Sequence, residues 1–331
     1  MPQTVPVADL EDLAARAFQR AGADAAIAAR VAQALVAAER DGQAGHGLSR
    51  MPSYAGQVES GKVDGRALPQ VAFPAPGLMR VDARHGFAFP AIDAAIDALI
   101  PAARAQGIAC ATLHRSHHAG QLGPHVERLA DAGLVAIMMA NTPAAMAPWG
   151  GKTGLLGTNP IAFAAPRAGA IPLVIDLSLS AVARGKIMAA KRNGTPIPEG
   201  IALDAAGAPT TDPEAALAGT MVPAGGAKGA ALALMVEVMA AALTGANLAG
   251  EASSLFDAAG DPPGLGQVII AIDPGAASGG AYAATLERLA AAIEADDGAR
   301  LPGANRMAKR ARTEIEVGDA ALADLRALAG D

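Results

Sequence analysis

Cysteine is nearly absent from this chain: its 331 residues hold one, Cys110, inside the apolar run from Gly107 to Leu113. That excludes a disulfide framework and a CxxC metal knuckle, and a reducing, cytoplasmic setting is expected. Aromatic residues make up only 3%, so the interior must be closed by small and aliphatic side chains. Neither sign of charge forms a block. The 26 Lys and Arg stand against 32 Asp and Glu, a net charge of -6, which argues against nucleic acid as a partner. The opening Met1-Pro-Gln-Thr-Val-Pro lacks a basic stretch followed by an apolar one, so it does not read as a secretory signal. A dinucleotide fingerprint is missing as well. No GxGxxG follows an apolar run; Gly151, Gly154 and Gly157 are wrongly spaced, and Gly264-Leu-Gly266 precedes a strand candidate rather than following one. A Rossmann domain is therefore disfavoured, and no P-loop, HExxH or GxSxG pattern replaces it.

One run mimics a membrane span, Gly229 to Ala246, but Glu237 sits in its middle. A carboxylate is costly in lipid, whereas a helix buried between a sheet and a subunit partner can satisfy it with hydrogen bonds. No membrane partner is expected.

Two helices are predicted near Val7 to Gln19 and Asp24 to Arg40, separated by Gly22; in the second, Ile27, Val31 and Leu35 form an apolar stripe. A Gly-rich loop, Asp41 to Arg50, then opens a segment with Met51, Tyr54 and Val58 in helical spacing. From Leu78 onward short apolar runs bounded by Gly, Pro and Asn read as buried strands: LMRVDA, GIACATL, GLVAIMMAN, PIAFAAP, PLVIDLS and QVIIAID. Helices are predicted between them at Ala91 to Ala105, His118 to Ala132 and Lys228 to Leu243. The expected class is α/β, a mixed sheet covered by helices, with a helical N-terminal region.

The chemistry-bearing residues are few. His46 lies in Ala-Gly-His-Gly, where flanking glycines let the backbone approach a ligand. Arg50 follows four residues later; if the helix extends back this far, the two share a face and set a proton donor beside a carboxylate clamp. A 2-oxo acid needs both groups. The same segment is equally consistent with a surface turn carrying a histidine of no function. His114, His117 and His118 raise a metal site, but adjacent histidines diverge and no further ligand stands nearby. A loop before a helix whose N-terminus, from Gly120, takes an anion is the better reading, and no metal is expected. Thr158 and Asn159 precede a strand and could meet a ligand. Asp176 and Ser178 could meet ribose, nicotinamide or substrate, or simply cap a helix. Lys228, in Gly225-Gly-Ala-Lys-Gly229, stands where a helix start favours phosphate.

In this order the motifs resemble the malate/L-lactate dehydrogenase family, whose fold is not Rossmann and which includes sulfolactate, ureidoglycolate and diketogulonate dehydrogenases and reductases of cyclic imino acids. The resemblance runs through RDG and HGLSR (Arg40 to Arg50), SGKVDGRALP (Ser60 to Pro69), APWGG, LGTNPIAFAAP, IDLSLSAVARGKI, GGAKG and RLPG (Arg300 to Gly303). It implies His46 as catalytic proton donor and Arg50 and Thr158 as substrate-binding residues. It also implies NAD or NADP held by His118, Ala119, Gly120, Gln121, Leu122, Asp176, Leu177, Ser178, Ala227, Lys228, Gly303 and Arg306. The implied reaction is reduction of a small 2-oxo acid to a 2-hydroxy acid, with a Δ1-pyrroline or Δ1-piperideine-2-carboxylate reductase as the alternative and a non-catalytic nucleotide-binding homologue as a third. Also implied are a homodimer and two domains, one of residues 1–117 plus 280–331 for substrate and dimerisation, the other of residues 118–279 for the nucleotide. The chain departs from the family at Gly45, where the motif has serine, and at Lys186, where imine reductases have aspartate. Lys186 looks like the hydroxy-acid dehydrogenases, whereas RDG and SGKVDGRALP look like the imine reductases; Gly45 removes a hydroxyl that could orient the imidazole and is what raises the non-catalytic homologue.

Overall fold

The computed structural model of the protein describes residues 2–303 and 309–331. In chain order the elements are β1 (Gln3–Pro6), α1 (Val7–Arg20), α2 (Ala25–Arg40), α3 (Met51–Glu59), β2 (Gln70–Ala75), β3 (Leu78–Asp82), α4 (Ala88–Gln106), β4 (Ile108–Ser116), α5 (Gly123–Asp131), β5 (Val135–Ala140), β6 (Ile161–Ala165) and β7 (Leu173–Leu177). They continue with α6 (Arg184–Asn193), β8 (Ala202–Leu203), α7 (Pro213–Ala218), β9 (Thr220–Met221), α8 (Ala227–Glu237), β10 (Leu265–Ile272), α9 (Pro274–Ser278), α10 (Tyr282–Glu294), β11 (Glu314–Val317) and α11 (Asp319–Ala329).

The first two helices stand where the apolar spacing puts them. Asp24 ends the turn between them, its carboxylate accepting from Ala26 N at 2.9 Å as an N-cap. Leu10, Phe18, Val31, Leu35 and Tyr54 close a core with Ile315 and Leu322, so the C-terminal segment packs back onto the N-terminal helices.

The expected strand runs all enter one sheet, ordered β2-β3-β4-β10-β5-β6-β7. Only β3 and β4 run parallel; the other neighbours are antiparallel. β10 enters between β4 and β5 and joins what would otherwise be two separate sheets. Ile92, Ile96, Leu99, Val126 and Leu129, from α4 and α5, pack on one face against Met79, Val81, Leu113 and Ile269. α8 covers part of the other face. Sequence reading missed β2, an edge strand broken by Pro74, as well as the pairs β1–β11 and β8–β9, which are too short to show a period.

Two expected helices need correction. α5 begins at Gly123, not His118, because Gly120 adopts φ +67 and Pro124 falls in the first turn. The helix expected from Lys228 to Leu243 changes to a π turn at Val238–Ala242. No helix among the described residues is long and apolar enough to cross a membrane. Glu237 is buried and satisfied: it accepts from Asn159 Nδ2 at 2.8 Å and from Ala249 N at 2.6 Å. Ala233, Val236 and Ala240 face the sheet, while Leu232, Leu234, Met235, Val238 and Leu243 are exposed on the single chain.

Candidate active site

The loop after α2 is not a helical extension of α3. Two 3-10 turns, Ala44–His46 and Leu48–Arg50, are separated by Gly47 at φ -99, ψ -139. The need for glycine there comes from packing: a Cβ on Gly47 would lie 2.2 Å from Glu39 Oε2 and 3.0 Å from the Glu39 backbone nitrogen. That Glu39 carboxylate accepts from Leu48 N at 2.9 Å and pins the loop to α2. Gly45, by contrast, has open space around it. His46 and Arg50 therefore do not share a helix face; Arg50 is tied instead to the residue before His46, its Nε donating to the Gly45 carbonyl at 2.7 Å. The Arg50 guanidinium carbon sits 4.4 Å from the centre of the Phe256 ring, and Nη1 is buried with no hydrogen-bond partner among the described residues.

His46 stacks on His118, with ring centres 5.2 Å apart and planes within 15°. His118 is itself held by a 2.5 Å hydrogen bond shared between its Nδ1 and Tyr54 Oη. The neighbouring His117 points elsewhere: its Nε2 donates to Gln57 Oε1 at 2.8 Å, and Gln57 Nε2 donates to the Asp257 carbonyl at 2.9 Å. The adjacent histidines thus diverge onto two residues of α3. Tyr54 and Gln57 carry no motif, although a tyrosine on an apolar helical stripe needs a polar partner once buried, and that is a signal the sequence does contain.

Burial, and then the positive charge of Arg50, push His46 down to about 4. Burial foremost, then Arg50, His46 and His117, holds His118 well below the usual histidine range. Both rings are neutral at neutral pH, and the guanidinium is the charge they feel. An entering carboxylate would pair with Arg50 and so remove part of what disfavours protonated His46.

Most of the remaining expected residues are linked to one another around the end of β7. His118 to Leu122 form a buried loop leading into α5. The anion site expected at that helix start is already filled within the chain: Gly123 N donates to the Asp176 carboxylate at 2.7 Å, which ties the end of β7 to the loop. Ser178 Oγ donates to the Thr158 carbonyl at 3.4 Å, and the Thr158 hydroxyl lies 3.2 Å from that of Thr142. Asn159, with φ +42, commits its amide nitrogen to Glu237 and the Ala233 carbonyl, while its Oδ1 is buried with no partner among the described residues. Ala224 N donates to the Leu179 carbonyl at 2.8 Å, bringing the exposed Ala227 and Lys228 next to the end of β7. Gly303 packs on the same strand, where a Cβ would lie 3.1 Å from the Val174 carbonyl. Leu177 is exposed beside Asp176. Arg306 lies outside the described residues, and Lys186 is exposed on α6.

A mixed sheet without a Gly-rich phosphate turn, with a histidine and an arginine beside loops gathered at strand ends, defines a dehydrogenase of non-Rossmann type. The chain matches the malate/L-lactate dehydrogenase family over residues 5–326 and belongs to it; it is an oxidoreductase. It is 52% identical over 333 residues to the (2R)-3-sulfolactate dehydrogenase (NADP(+)) of Chromohalobacter salexigens, covering 99% of each chain. It is also 45% identical over 317 residues to a Δ1-pyrroline-2-carboxylate/Δ1-piperideine-2-carboxylate reductase of Pseudomonas putida, covering 94% of this chain and 92% of that protein. Among solved structures, the Δ1-piperideine-2-carboxylate reductase of Pseudomonas syringae superposes with a TM-score of 0.93 at 42% identity, covering 98% of this chain and 99% of that one.

Proposed function

We propose that this protein reduces the carbonyl of a small 2-oxo acid of the sulfopyruvate, oxaloacetate or pyruvate kind to the 2-hydroxy acid, using NAD(P)H. The observation that carries the reading is Arg50: a guanidinium fixed at Nε and on its face, with a buried Nη1 that, like His46 Nδ1, has no hydrogen-bond partner among the described residues. Arg50 holds the substrate carboxylate, Thr158 contacts the substrate, and His46 delivers the proton to the carbonyl oxygen. The nucleotide, when bound, supplies hydride to the substrate carbon. His118 to Leu122, Asp176 to Ser178, Ala227, Lys228, Gly303 and Arg306 would hold it; Gln121 Oε1, buried and without a partner among the described residues, and Gly226, opening α8 at φ +63, fit a polar ligand there. The name of the relative at 52% identity favours NADP(H).

The second reading, a cyclic 2-imino acid as substrate, is favoured by the surroundings of His46: its ring lies against His118, and burial and the charge of Arg50 push it down to about 4, which favours the neutral imidazole. An iminium brings its own proton, so its reduction does not wait for a protonated histidine. The pH profile separates the two. For a 2-oxo acid the reactive form carries H⁺ on His46, and that form is depleted as pH rises above about 4. Log kcat/KM for reduction should then fall with a slope of about -1 between about pH 5 and about pH 8, while in the oxidative direction it stays flat. The kcat profile should break higher, because the bound carboxylate offsets Arg50. A flat reductive kcat/KM would remove His46 as the acid.

A panel following NADH and NADPH oxidation with sulfopyruvate, oxaloacetate, pyruvate, 2,3-diketogulonate and the two cyclic imines identifies the substrate. Turnover of the imines alone would sink the first reading. The division into residues 1–117 plus 280–331 and residues 118–279 is part of the proposal; it is supported by the shared core of the N-terminal helices with β11 and α11, although β10 carries one sheet across both parts. A cytoplasmic homodimer is also proposed, supported by the apolar side of α8 that the single chain leaves uncovered. Sedimentation of Leu234→Glu against the parent protein tests it: the substitution should shift the protein to monomer, and a monomeric parent would refute it.

A further inference from the structure

The SGKVDGRALP segment has no part in the chemistry above, yet its lysine is the most buried in the chain. Lys62 is 2% exposed. An ammonium out of water is costly unless each of its three protons is taken, and here all three are: Nζ donates to the carbonyls of Ser254 at 2.7 Å, Ala259 at 2.7 Å and Asp257 at 3.2 Å. The Asp257 carboxylate, 3.5 Å away, offsets the charge. The Asp257 carbonyl takes a second bond, from Gln57 on α3. Four hydrogen bonds from two side chains, Gln57 on α3 and Lys62 just beyond its end, thus fasten one irregular loop to the helix that begins directly after Arg50. The loop is also braced within itself, with Phe256 N donating to Ser254 Oγ at 3.1 Å and Ala259 N to Asp257 Oδ1 at 3.0 Å.

What this loop presents is Phe256, 43% exposed, with the Arg50 guanidinium against its ring. Stacking on an aromatic face fixes a guanidinium plane without consuming its in-plane N–H donors. A carboxylate partner in the same place would have taken Nη1. We propose that Phe256 is the wall of the substrate subsite, orienting the Arg50 fork and discriminating among substrates by the group attached beyond the carbonyl, and that Lys62 is the positioning residue that holds this wall in place. The proposal rests on Arg50 as the carboxylate anchor. The ring is apolar and half open, so it takes the chain or ring methylenes of a 2-oxo or cyclic 2-imino acid. A single methylene in such a contact discriminates by roughly 10- to 200-fold.

The test uses the full chain with NADPH and the 2-oxo acids pyruvate, 2-oxobutyrate and sulfopyruvate, with the cyclic imines alongside. Phe256→Ala should raise KM roughly tenfold with kcat changed only a few-fold, leave the KM for NADPH unchanged, and compress the ratio of kcat/KM between pyruvate and 2-oxobutyrate. Phe256→Tyr, which keeps the ring, should restore both. Lys62→Met should raise amide hydrogen exchange across residues 253–261 and move KM in the same direction as Phe256→Ala. An unchanged KM and substrate ranking in Phe256→Ala overturns the wall, and unchanged exchange in Lys62→Met overturns the clamp. If Lys62→Met does not fold, the Phe256 variants still decide, because a half-exposed ring can be cut back without opening the core. If the parent protein turns over none of these acids, the functional reading fails, whereas the exchange measurement decides the clamp independently.

Discussion

His46→Ala is expected to lower kcat by roughly 10²- to 10⁴-fold, the usual contribution of a positioned general acid, with nucleotide affinity kept within a few-fold. The structure makes this a clean substitution. No side-chain hydrogen bond is lost, since Nδ1 has no partner among the described residues, and the backbone bond from His46 N to the Gln43 carbonyl at 2.8 Å is unaffected. The ring's main neighbour is His118, which keeps its own hydrogen bond to Tyr54. Folding should be little altered, so a fall in kcat reports chemistry. Steady-state kinetics paired with calorimetric titration of NADPH provides the check, and an unchanged kcat would sink the assignment. The stacked pair also indicates how the imidazole is oriented without the serine that the family motif carries before it. His118, fixed by Tyr54, supplies a flat neutral surface, and the Arg50 bond to the Gly45 carbonyl holds the backbone on the other side.

Arg50→Lys is expected to raise KM for the acid substrate by roughly 10- to 100-fold. Losing one charge-assisted hydrogen bond of about 1.5–3 kcal/mol corresponds to that range. Lysine retains the charge but loses three things at once: the planar fork, the face that packs on Phe256, and the Nε bond to Gly45. The third loss touches the residue before His46, so kcat should also fall, by less than in His46→Ala. An unaltered KM would remove Arg50 as the carboxylate clamp. Restoration of binding by the lysine charge alone would show that the subsite reads charge and not geometry.

Much of the fold was legible in the chain. The four-residue spacing of Ile27, Val31 and Leu35 and the Asp24 cap mark α2 within a residue, and the strands from Leu78 onward show as apolar runs, because both kinds of element advertise a local period. Where the period is interrupted, legibility ends. The start of α5 was misplaced because a buried loop with a left-handed glycine carries the same residues as a helix turn. The four-residue spacing of His46 and Arg50 suggested a shared helix face; instead Arg50 bonds the carbonyl of the residue before His46, across a kinked glycine. The candidate cofactor segments show singly in the sequence, some from residue type and the rest from resemblance, whereas their linkage through the Asp176, Thr158 and Leu179 bonds is a matter of which strands become neighbours.

The sequence by itself determined the family, the helical N-terminus and the strand content, and it singled out His46 and Arg50 as the candidates for proton donor and carboxylate clamp, since these depend on residue type and short spacing. Tertiary structure alone decided that β10 bridges the sheet, that the two histidines at 117 and 118 serve different partners, and that Lys62 reaches nearly two hundred residues ahead to hold Phe256 beneath Arg50. The physical reason is range. Periodicity, capping and turn chemistry act within a few residues, but the burial that makes His46 neutral and the saturation of a buried ammonium depend on groups brought together only when distant segments pack.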